Sequence, residues 1–399
     1  MNMKNPTVLN FVKVITFIVL CTLNVIYTNA QCTISLPTPT KTLCSGANSN
    51  SYTLSGQVTF SNAPSTGSLI ISVQGGQSKV FTAPFNSPIS YSINKLIADG
   101  ASRSVTASFS AQPTCKATTN FTAPNGVGSG FSNFPIGTIV SNFLWGTNPY
   151  PQQSWDGGYL PFYGGPYSYG GGIHDLDLTP PGVTDIAAVC GELAEGVAGG
   201  AGSNYSNKYQ YIPLENIAQG TAGQNDESQN IPVGGIGKVR SGILRYLFDH
   251  YYTSTNANSW TATNGAAFQL AVWEIIHEVY SSNNSFSITA ASANGYYWQA
   301  SYNLSSINLA QSYLNVINSL NWNDTQWMSY EPVNWHVIGV ENNGETIGNN
   351  SQDLIFAQPL ICAVSCSVAL TATPGTCASS SNTYTLTGNL TFSNAPTTG

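Results

Sequence analysis

One segment of this chain occurs twice. Residues Tyr52–Gly67 recur as Tyr384–Gly399, and most positions carry the same residue in both copies. A repeat of this kind indicates a small structural unit that folds more than once along one chain. The first copy is followed by further sequence with a similar residue pattern, whereas the second copy ends at residue 399. We therefore expect the chain to be a fragment of a longer repeat array.

The first copy continues through short runs in which apolar and polar residues alternate, namely Leu69–Val73, Tyr91–Ile93 and Val105–Phe109. Alternation with a period of two, interrupted by turn residues, is typical of half-buried antiparallel strands. Residues 31–126 are therefore predicted to form an Ig-like β-sandwich, and residues 362–399 the start of a second, truncated one. A spacer or stalk is the simplest role for these repeats, and ligand binding is the alternative.

The N-terminus has the features of a secretory signal peptide over residues 1–30. Lys4 and Lys13 precede a largely apolar stretch, Val14–Leu23, which is followed by small residues suited to a cleavage site. This apolar stretch is too short for a comfortable membrane span. We expect the mature chain to be secreted and displayed on the cell surface, without membrane insertion.

Charge is scarce in this chain. Only 7% of the residues are charged, and the formal net charge is −7. Removing residues 1–30 takes away two lysines and no acid, which brings the net charge to −9. A weakly acidic chain with few Lys and Arg residues argues against nucleic acid and anionic membranes as partners.

The cysteines set Cys190 apart. The chain has eight, and seven remain once Cys21 is removed with the signal peptide. An exported chain is expected to pair its cysteines, and seven is an odd number. Cys190 lies 75 residues after Cys115 and 172 before Cys362, so we expect it to stay outside the disulfides.

The segment from 127 to 361 differs from the repeats in its residue pattern and is predicted to be an α+β domain. Together with the β-repeats on either side, it gives a chain that is predicted to be mainly β. A Gly- and Tyr-rich stretch, Trp155–Gly172, is interpreted as a loop, with an aromatic recognition surface and an ordinary loop as equal alternatives. Apolar periodicity predicts a β scaffold that carries a three-helix subdomain between its strands. The predicted strands are Asp185–Cys190, Trp335–Val340 and Asp353–Phe356, and the predicted helices are about Ile236–Tyr252, Gly265–Tyr280 and Ile307–Leu320.

Within the second predicted helix, Gln269 is a polar residue on an apolar face. Ala266, Val272, Trp273 and Ile276 share that face at helical spacing. A buried carboxamide without partners costs a few kcal/mol. Either backbone groups satisfy Gln269 or its side chain has been used chemically.

Cys190 at the end of a strand, followed by the helix motif Gln269-Leu-Ala-Val-Trp273, resembles the thioester domains of bacterial surface adhesins. This resemblance covers residues 127–360 at most, and Val189 stands where an aromatic residue more often precedes the cysteine. It implies a bond between the Cys190 sulfur and the Gln269 side-chain carbonyl, formed with loss of ammonia. The alternative for Cys190 is an inert buried thiol.

A thioester of this kind needs a dry site until a nucleophile arrives. Phe268 and Trp273 are expected to supply it. With Thr263 or Asn264 as the predicted N-cap, Gln269 would lie near the helix N-terminus, where backbone N–H groups could steady an oxyanion. Glu274 and His277 could relay a proton, although surface or capping roles are the simpler interpretation.

The sequence does not predict a cofactor or a metal site. His174 and His250 have no partner at a metal-ligand spacing. Asp175 and Asp177 could be a weak calcium site, but ordinary loop polarity explains them as well.

These features predict a secreted adhesin module that captures an amine- or hydroxyl-bearing target, such as a surface protein, by single-turnover acyl transfer from Gln269. Such a module would not be an enzyme. The first alternative is a non-covalent binding module for protein or carbohydrate that uses the aromatic stretch. The second is a cysteine-dependent acyl-transfer enzyme with Cys190 as nucleophile and His277 or His250 as base.

Overall fold

The protein is mainly β, with several antiparallel sheets and, in the part described, four α-helices. A computed structural model describes residues 31–44, 49–127, 134–145, 152–160, 165–179, 181–191, 209–217, 235–277, 286–288, 304–342, 353–362, 367–376, 380 and 383–393. The predicted signal peptide lies outside these ranges. In the described part, no helix combines the length and apolarity that a membrane span requires.

The first copy of the repeat forms two packed antiparallel sheets. In one sheet β3 pairs with β1, β2 and β6, and the other has the order β5-β4-β7-β8. Alternate residues of each strand face the core of the sandwich. In β4, Leu69, Ile71 and Val73 are fully buried, while the residues between them are half-buried. The strands are β1 Thr33–Ser35, β2 Thr40–Leu43, β3 Ser51–Ser61, β4 Ser68–Val73, β5 Ser78–Thr82, β6 Ile89–Ile97, β7 Ser102–Phe109 and β8 Gln112–Thr122.

The segment that follows forms a separate, eight-stranded sheet. Its order is β10-β12-β13-β16-β15-β14-β9, and β11 also pairs with β12. The strands are β9 Ile139–Val140, β10 Asn142–Trp145, β11 Gln152–Leu160, β12 Gly165–Thr179, β13 Val183–Cys190, β14 Tyr209–Ile212, β15 Trp335–Asn342 and β16 Leu354–Pro359. The loop interpretation of Trp155–Gly172 is wrong, because β11 and β12 pair along this stretch as a hairpin.

In chain order the helices follow β14 and precede β15, which pair with each other in the sheet. They are α1 Gly237–Tyr251, α2 Ala262–His277, α3 Leu304–Ser319 and α4 Asp324–Met328. The short α4 was not predicted. It has a capping box in which Asn323 and Gln326 satisfy each other's backbone N–H groups.

The predicted N-cap of α2, Thr263 or Asn264, is wrong. The helix begins at Ala262, and the Thr261 hydroxyl accepts a hydrogen bond from Asn264 N–H at 3.2 Å. This is the bond that an N-cap residue makes to the third helical residue. The apolar pattern starts later than the helix because its first turn is polar.

The sandwich and the second domain are joined at several points. Disulfides connect Cys32 to Cys115 inside the sandwich and Cys44 to Cys362 across the junction. Asn50 of the sandwich donates to Pro359 O at 2.8 Å and accepts from Ile361 N–H at 2.6 Å. The Cys44–Cys362 link and these bonds attach the sandwich to the strand that ends the second domain.

A buried group of charges, the junction cluster of Glu215, Lys238 and Arg245, lies against the sandwich. Glu215 accepts from Lys238 Nζ at 2.5 Å, from Gly75 N–H at 3.0 Å and from Arg245 Nη2 at 3.5 Å. Lys238 also donates to Val73 O at 2.7 Å and to Gly76 O at 3.0 Å. The cluster therefore binds the turn after β4 through side chains of the second domain.

The second copy of the repeat is described as a hairpin of β17 Ser367–Pro374 and β18 Leu386–Ser393. Its apolar residues are exposed where their counterparts in the first copy are buried. Leu386 is 62% exposed, whereas Leu54 at the matching position of the sandwich is 0% exposed. The repeated apolar residues therefore form part of the core in the first copy, whereas in the described hairpin of the second copy they are exposed.

Candidate functional site

Cys190 is the last residue of β13, a strand in the interior of the eight-stranded sheet. This strand lies between β12 and β16, and Cys190 pairs in register with Leu354. The side chain is 2% exposed and takes part in neither disulfide. The strand is anchored near the cysteine because Tyr252 donates its hydroxyl to Ala187 O at 2.6 Å.

Gln269 reaches Cys190 from helix α2. This helix packs on β11, β12 and β13 and on α3, and its residues from Gly265 to Ile276 are buried. Cys190 N–H donates to Gln269 Oε1 at 2.7 Å, and Gln269 Nε2 donates to Cys190 O at 2.9 Å. Both bonds are to the Cys190 backbone, so backbone groups satisfy the buried carboxamide, which is the first of the two alternatives for Gln269. The carboxamide is 0% exposed and lies against the residue that the resemblance paired with it.

His174 is the third member of the site, and the sequence did not identify it. Its Nε2 lies 2.8 Å from the Cys190 Sγ atom. His174 on β12 pairs in register with Ala188, so it lies diagonally opposite Cys190 on the same sheet face. The signal for this contact is the turn at Pro181–Gly182, after which β13 pairs back onto β12.

His174 is neutral at physiological pH. The ring is 1% exposed, and burial lowers its pKa from 6.5 to about 4. A neutral imidazole with its proton on Nδ1 presents Nε2 as an acceptor, which fits a bond donated by the Cys190 thiol. The site therefore places a neutral imidazole in contact with the Cys190 sulfur.

The aromatic residues predicted to shield the site are buried. Phe268 lies edge-on to Phe248, with ring centroids 4.9 Å apart, and close to Trp260 at 5.4 Å. Tyr252 packs in the same group, 5.8 Å from Phe268. Trp273 is also buried on α2. Phe268 and Trp273 therefore belong to the buried apolar core in which α2 lies.

The predicted proton relays have other positions. Glu274 is buried and accepts from Ser287 N–H at 2.7 Å, which ties α2 to the segment before α3. His277 ends α2, and its side chain lies outside the described part of the structure. His250 is exposed and stacks on Tyr246 with ring centroids 3.9 Å apart.

The expected help from the helix N-terminus is not available to Gln269. It lies seven residues after Ala262, about 10 Å along the axis. The groups of the first turn are too far away to touch its oxygen. The donor at that oxygen is the backbone N–H of Cys190.

Asp175 and Asp177 lie on β12 and not in a loop. Burial, together with the charges of Asp185 and Asp177, raises the pKa of Asp175 to about 6. Asp177 Oδ1 accepts from Asp185 N–H at 3.0 Å. Among the described residues, no three His, Cys, Asp or Glu side chains are grouped so that they could hold a metal ion.

Comparisons of this chain with protein-family models, with curated proteins and with solved structures found no match.

The buried state of His174 predicts a pH-dependent stability. An unfolded histidine binds its proton near pH 6.5 and the folded one only near pH 4, so the unfolded state holds more protons between these values. Stability is therefore fully present above about pH 6.5 and is lost as the pH falls towards 4. The loss amounts to about 3 kcal/mol.

Urea unfolding at several pH values tests this in a Cys190→Ala background, with and without His174→Gln. Asp175, Glu274 and Asp353, the other buried acids of the surrounding elements, are present in both proteins, so any contribution of theirs cancels in the difference. A difference between the two proteins that stays constant from pH 7 to 4 would contradict a depressed pKa for His174.

Proposed function

We propose that this protein is a secreted cell-surface adhesin module that captures its target covalently through a thioester between Cys190 and Gln269. The observation that carries the proposal is the contact of the Gln269 carboxamide with Cys190. These residues are 79 positions apart, both are buried, and two hydrogen bonds hold them together.

Capture follows from the chemistry of the bond. The nitrogen of a target amine attacks the Gln269 carbonyl carbon, the carbon–sulfur bond breaks, and the amine proton passes to the Cys190 sulfur. The product is an amide on the target and a thiol on this protein. An amide is more resonance-stabilised than a thioester, so capture is downhill, and the apolar surroundings keep competing water away. A hydroxyl would react in the same way and give an ester.

The β-repeats on either side suit display of this domain away from the cell. The sandwich is attached to the second domain by the Cys44–Cys362 disulfide and by the junction cluster. A short, rigid connection of this kind would transmit force from a captured target to the repeats. The target itself is proposed to be a surface protein or another carrier of amines or hydroxyls.

One observation favours a second function, a cysteine-dependent acyl-transfer enzyme. The contact between Cys190 Sγ and His174 Nε2 is that of a nucleophile and its base, so His174 replaces the two histidines first considered for this role. The surroundings favour the thioester. Gln269 Nε2 is already bonded to Cys190 O, so it is not directed at a substrate oxygen, and the sulfur is closed off from solvent.

Intact mass of the purified, unreduced protein tests the proposal. We expect a mass that is short by one ammonia beyond the disulfide hydrogens, and one methylamine added to Gln269 after treatment with that amine. Cys190→Ala, which cannot form the bond, should show neither change. A full mass with a titratable Cys190 thiol would rule the thioester out. Repeated turnover of an acyl donor by such a protein would support the enzyme instead.

A further inference from the structure

We propose that His174 is the catalytic residue that closes the Cys190–Gln269 bond, by taking the thiol proton and returning it to the departing ammonia. This inference rests on the proposed function, because it concerns how the same bond is made. It goes further in assigning an autocatalytic step to a residue that neither the repeat pattern nor the helix motif indicated.

The position of His174 fits a base for this sulfur. Its Nε2 is 2.8 Å from Cys190 Sγ, which is within the range for direct proton transfer. Both residues lie on paired strands in the interior of the sheet, so the contact is fixed by backbone register. A thiol attacks only as its thiolate, and in a buried apolar site that charge needs a partner. The imidazolium formed by the transfer supplies one at contact distance.

The carboxamide is held for attack at the same time. When sulfur adds to the Gln269 carbonyl carbon, negative charge develops on Oε1. Cys190 N–H already donates to that oxygen at 2.7 Å. The nucleophilic residue thus supplies its own oxyanion donor, in place of the distant helix N-terminus. The Gln269 nitrogen is fixed by its 2.9 Å bond to Cys190 O.

The step balances without any further reactant. The Cys190 S–H proton moves to His174 Nε2 as sulfur bonds to the Gln269 carbonyl carbon. The carbon–nitrogen bond then breaks, and the proton on His174 passes to the leaving –NH₂ group. The products are a thioester, one molecule of ammonia and His174 in its starting, neutral form.

The other titratable groups near His174 are less suited to this task. Glu274 on α2 is bonded to the backbone of Ser287. Asp175 follows His174 on β12, so its side chain points to the opposite face of the sheet. Asp353 lies just before β16 and accepts from Gly191 N–H through its backbone oxygen at 2.7 Å. Burial lowers the pKa of His174 to about 4, which keeps the ring neutral across the physiological range.

The experiment starts from mature chain recovered unfolded from inclusion bodies, in which Gln269 is still a carboxamide. Refolding is started by dilution, and mass spectrometry follows the loss of ammonia with time. We expect His174→Gln, which keeps a polar side chain of similar size but cannot carry the proton, to close at least about 100-fold more slowly than the wild type. His336→Gln replaces another buried histidine, on β15, and should close at the wild-type rate.

The outcomes separate the two proposals. A wild-type chain that folds and never loses ammonia would refute the thioester itself. A wild-type chain that closes, together with a folded His174→Gln that closes equally fast, would refute only the role of His174.

If His174→Gln does not fold, the pH dependence of thioester formation in the wild-type chain tests whether His174 is the base. With an internal neutral base, the rate should stay nearly constant between about pH 5 and 8. A rate that rises about tenfold per pH unit in this range would mean that the thiol ionises to solvent without His174.

Discussion

Replacing Glu215 by alanine is expected to lower the free energy of unfolding by about 3–5 kcal/mol. Glu215 is the carboxylate of the junction cluster, and it bonds to Lys238, Arg245 and Gly75 N–H. Burial alone would raise its pKa, but the charges of Lys238 and Arg245 outweigh this and hold the pKa of the carboxyl below its ordinary value. Its removal would leave the buried Arg245 and the partly buried Lys238 without their counter-charge.

The same substitution weakens the attachment of the sandwich to the second domain. Lys238 would keep its bonds to Val73 O and Gly76 O, but its charge would no longer be compensated. Burial already lowers the pKa of Lys238, and this shift should grow when Glu215 is absent. We therefore expect the two domains to lose cooperativity in thermal unfolding as well as stability.

Glu331→Ala is the matched control for Glu215→Ala. Glu331 also contacts the sandwich, through a hydrogen bond from Asn94 at 3.2 Å, but at a solvent-exposed position. Its loss should cost less than about 1 kcal/mol. Chemical denaturation of the two variants measures both changes. Equal losses would show that the junction cluster contributes no more than an exposed contact does.

Two of the three side chains of the candidate site, Cys190 and Gln269, stand out in the sequence because local pattern singles them out. The apolar surroundings of Gln269 are visible as helical periodicity, and the isolation of Cys190 is visible in the cysteine count. Both residues are buried, and they lie in contact. Helical spacing fixes which side chains share a face, so a polar residue on such a face stands out from the residue pattern alone.

His174 and Glu215 could not be found in the same way, because their roles come from long-range pairing. His174 reaches Cys190 only through the register of β12 with β13, which includes a bulge between Leu176 and Leu178. A shift of one residue would turn the ring to the other face. Glu215 owes its role to the turn of a different domain, 140 residues earlier in the chain.

Glycine content explains the error at residues 155–172. Glycine and tyrosine in this stretch suggested a loop, since glycine is depleted in strands. The structure forms the long hairpin of β11 and β12 there. Pairing with β10 and β13 on the rest of β12 continues this hairpin into the sheet, so tertiary context outweighs local propensity. The Gly and Tyr content of this stretch therefore led to a wrong prediction of its backbone conformation.

Opening the proposed thioester is expected to lower the free energy of unfolding by about 4 kcal/mol. The bond closes a loop between residues 79 positions apart, and a cross-link of this kind restricts the unfolded chain as a disulfide does. The Cys44–Cys362 disulfide already encloses this loop in the unfolded state. This prior restriction makes about 4 kcal/mol an upper figure.

Thermal unfolding of the protein before and after treatment with ammonia or methylamine measures this effect. Ammonia restores an unmodified Gln269, so any loss of stability reflects the loop alone. Methylamine adds a methyl group that the packed site must also accommodate, and should lower the stability further. Cys190→Ala treated in the same way should not change. An unchanged transition in a protein whose mass shows complete opening would contradict the cross-link effect.

A loss of about 4 kcal/mol in the free energy of unfolding would mean that capture of a target also destabilises the protein. Before capture, the bond would hold β13 and α2 together and keep water from the reactive carbon. After capture, only the contacts between the Cys190 backbone and its surroundings would remain, and the Gln269 side chain would have to leave its buried position to carry the target. The buried core around α2, to which Phe268 and Trp273 belong, would then have to open. We therefore expect the captured form to exchange the backbone amide hydrogens of β13 and α2 faster than the closed form.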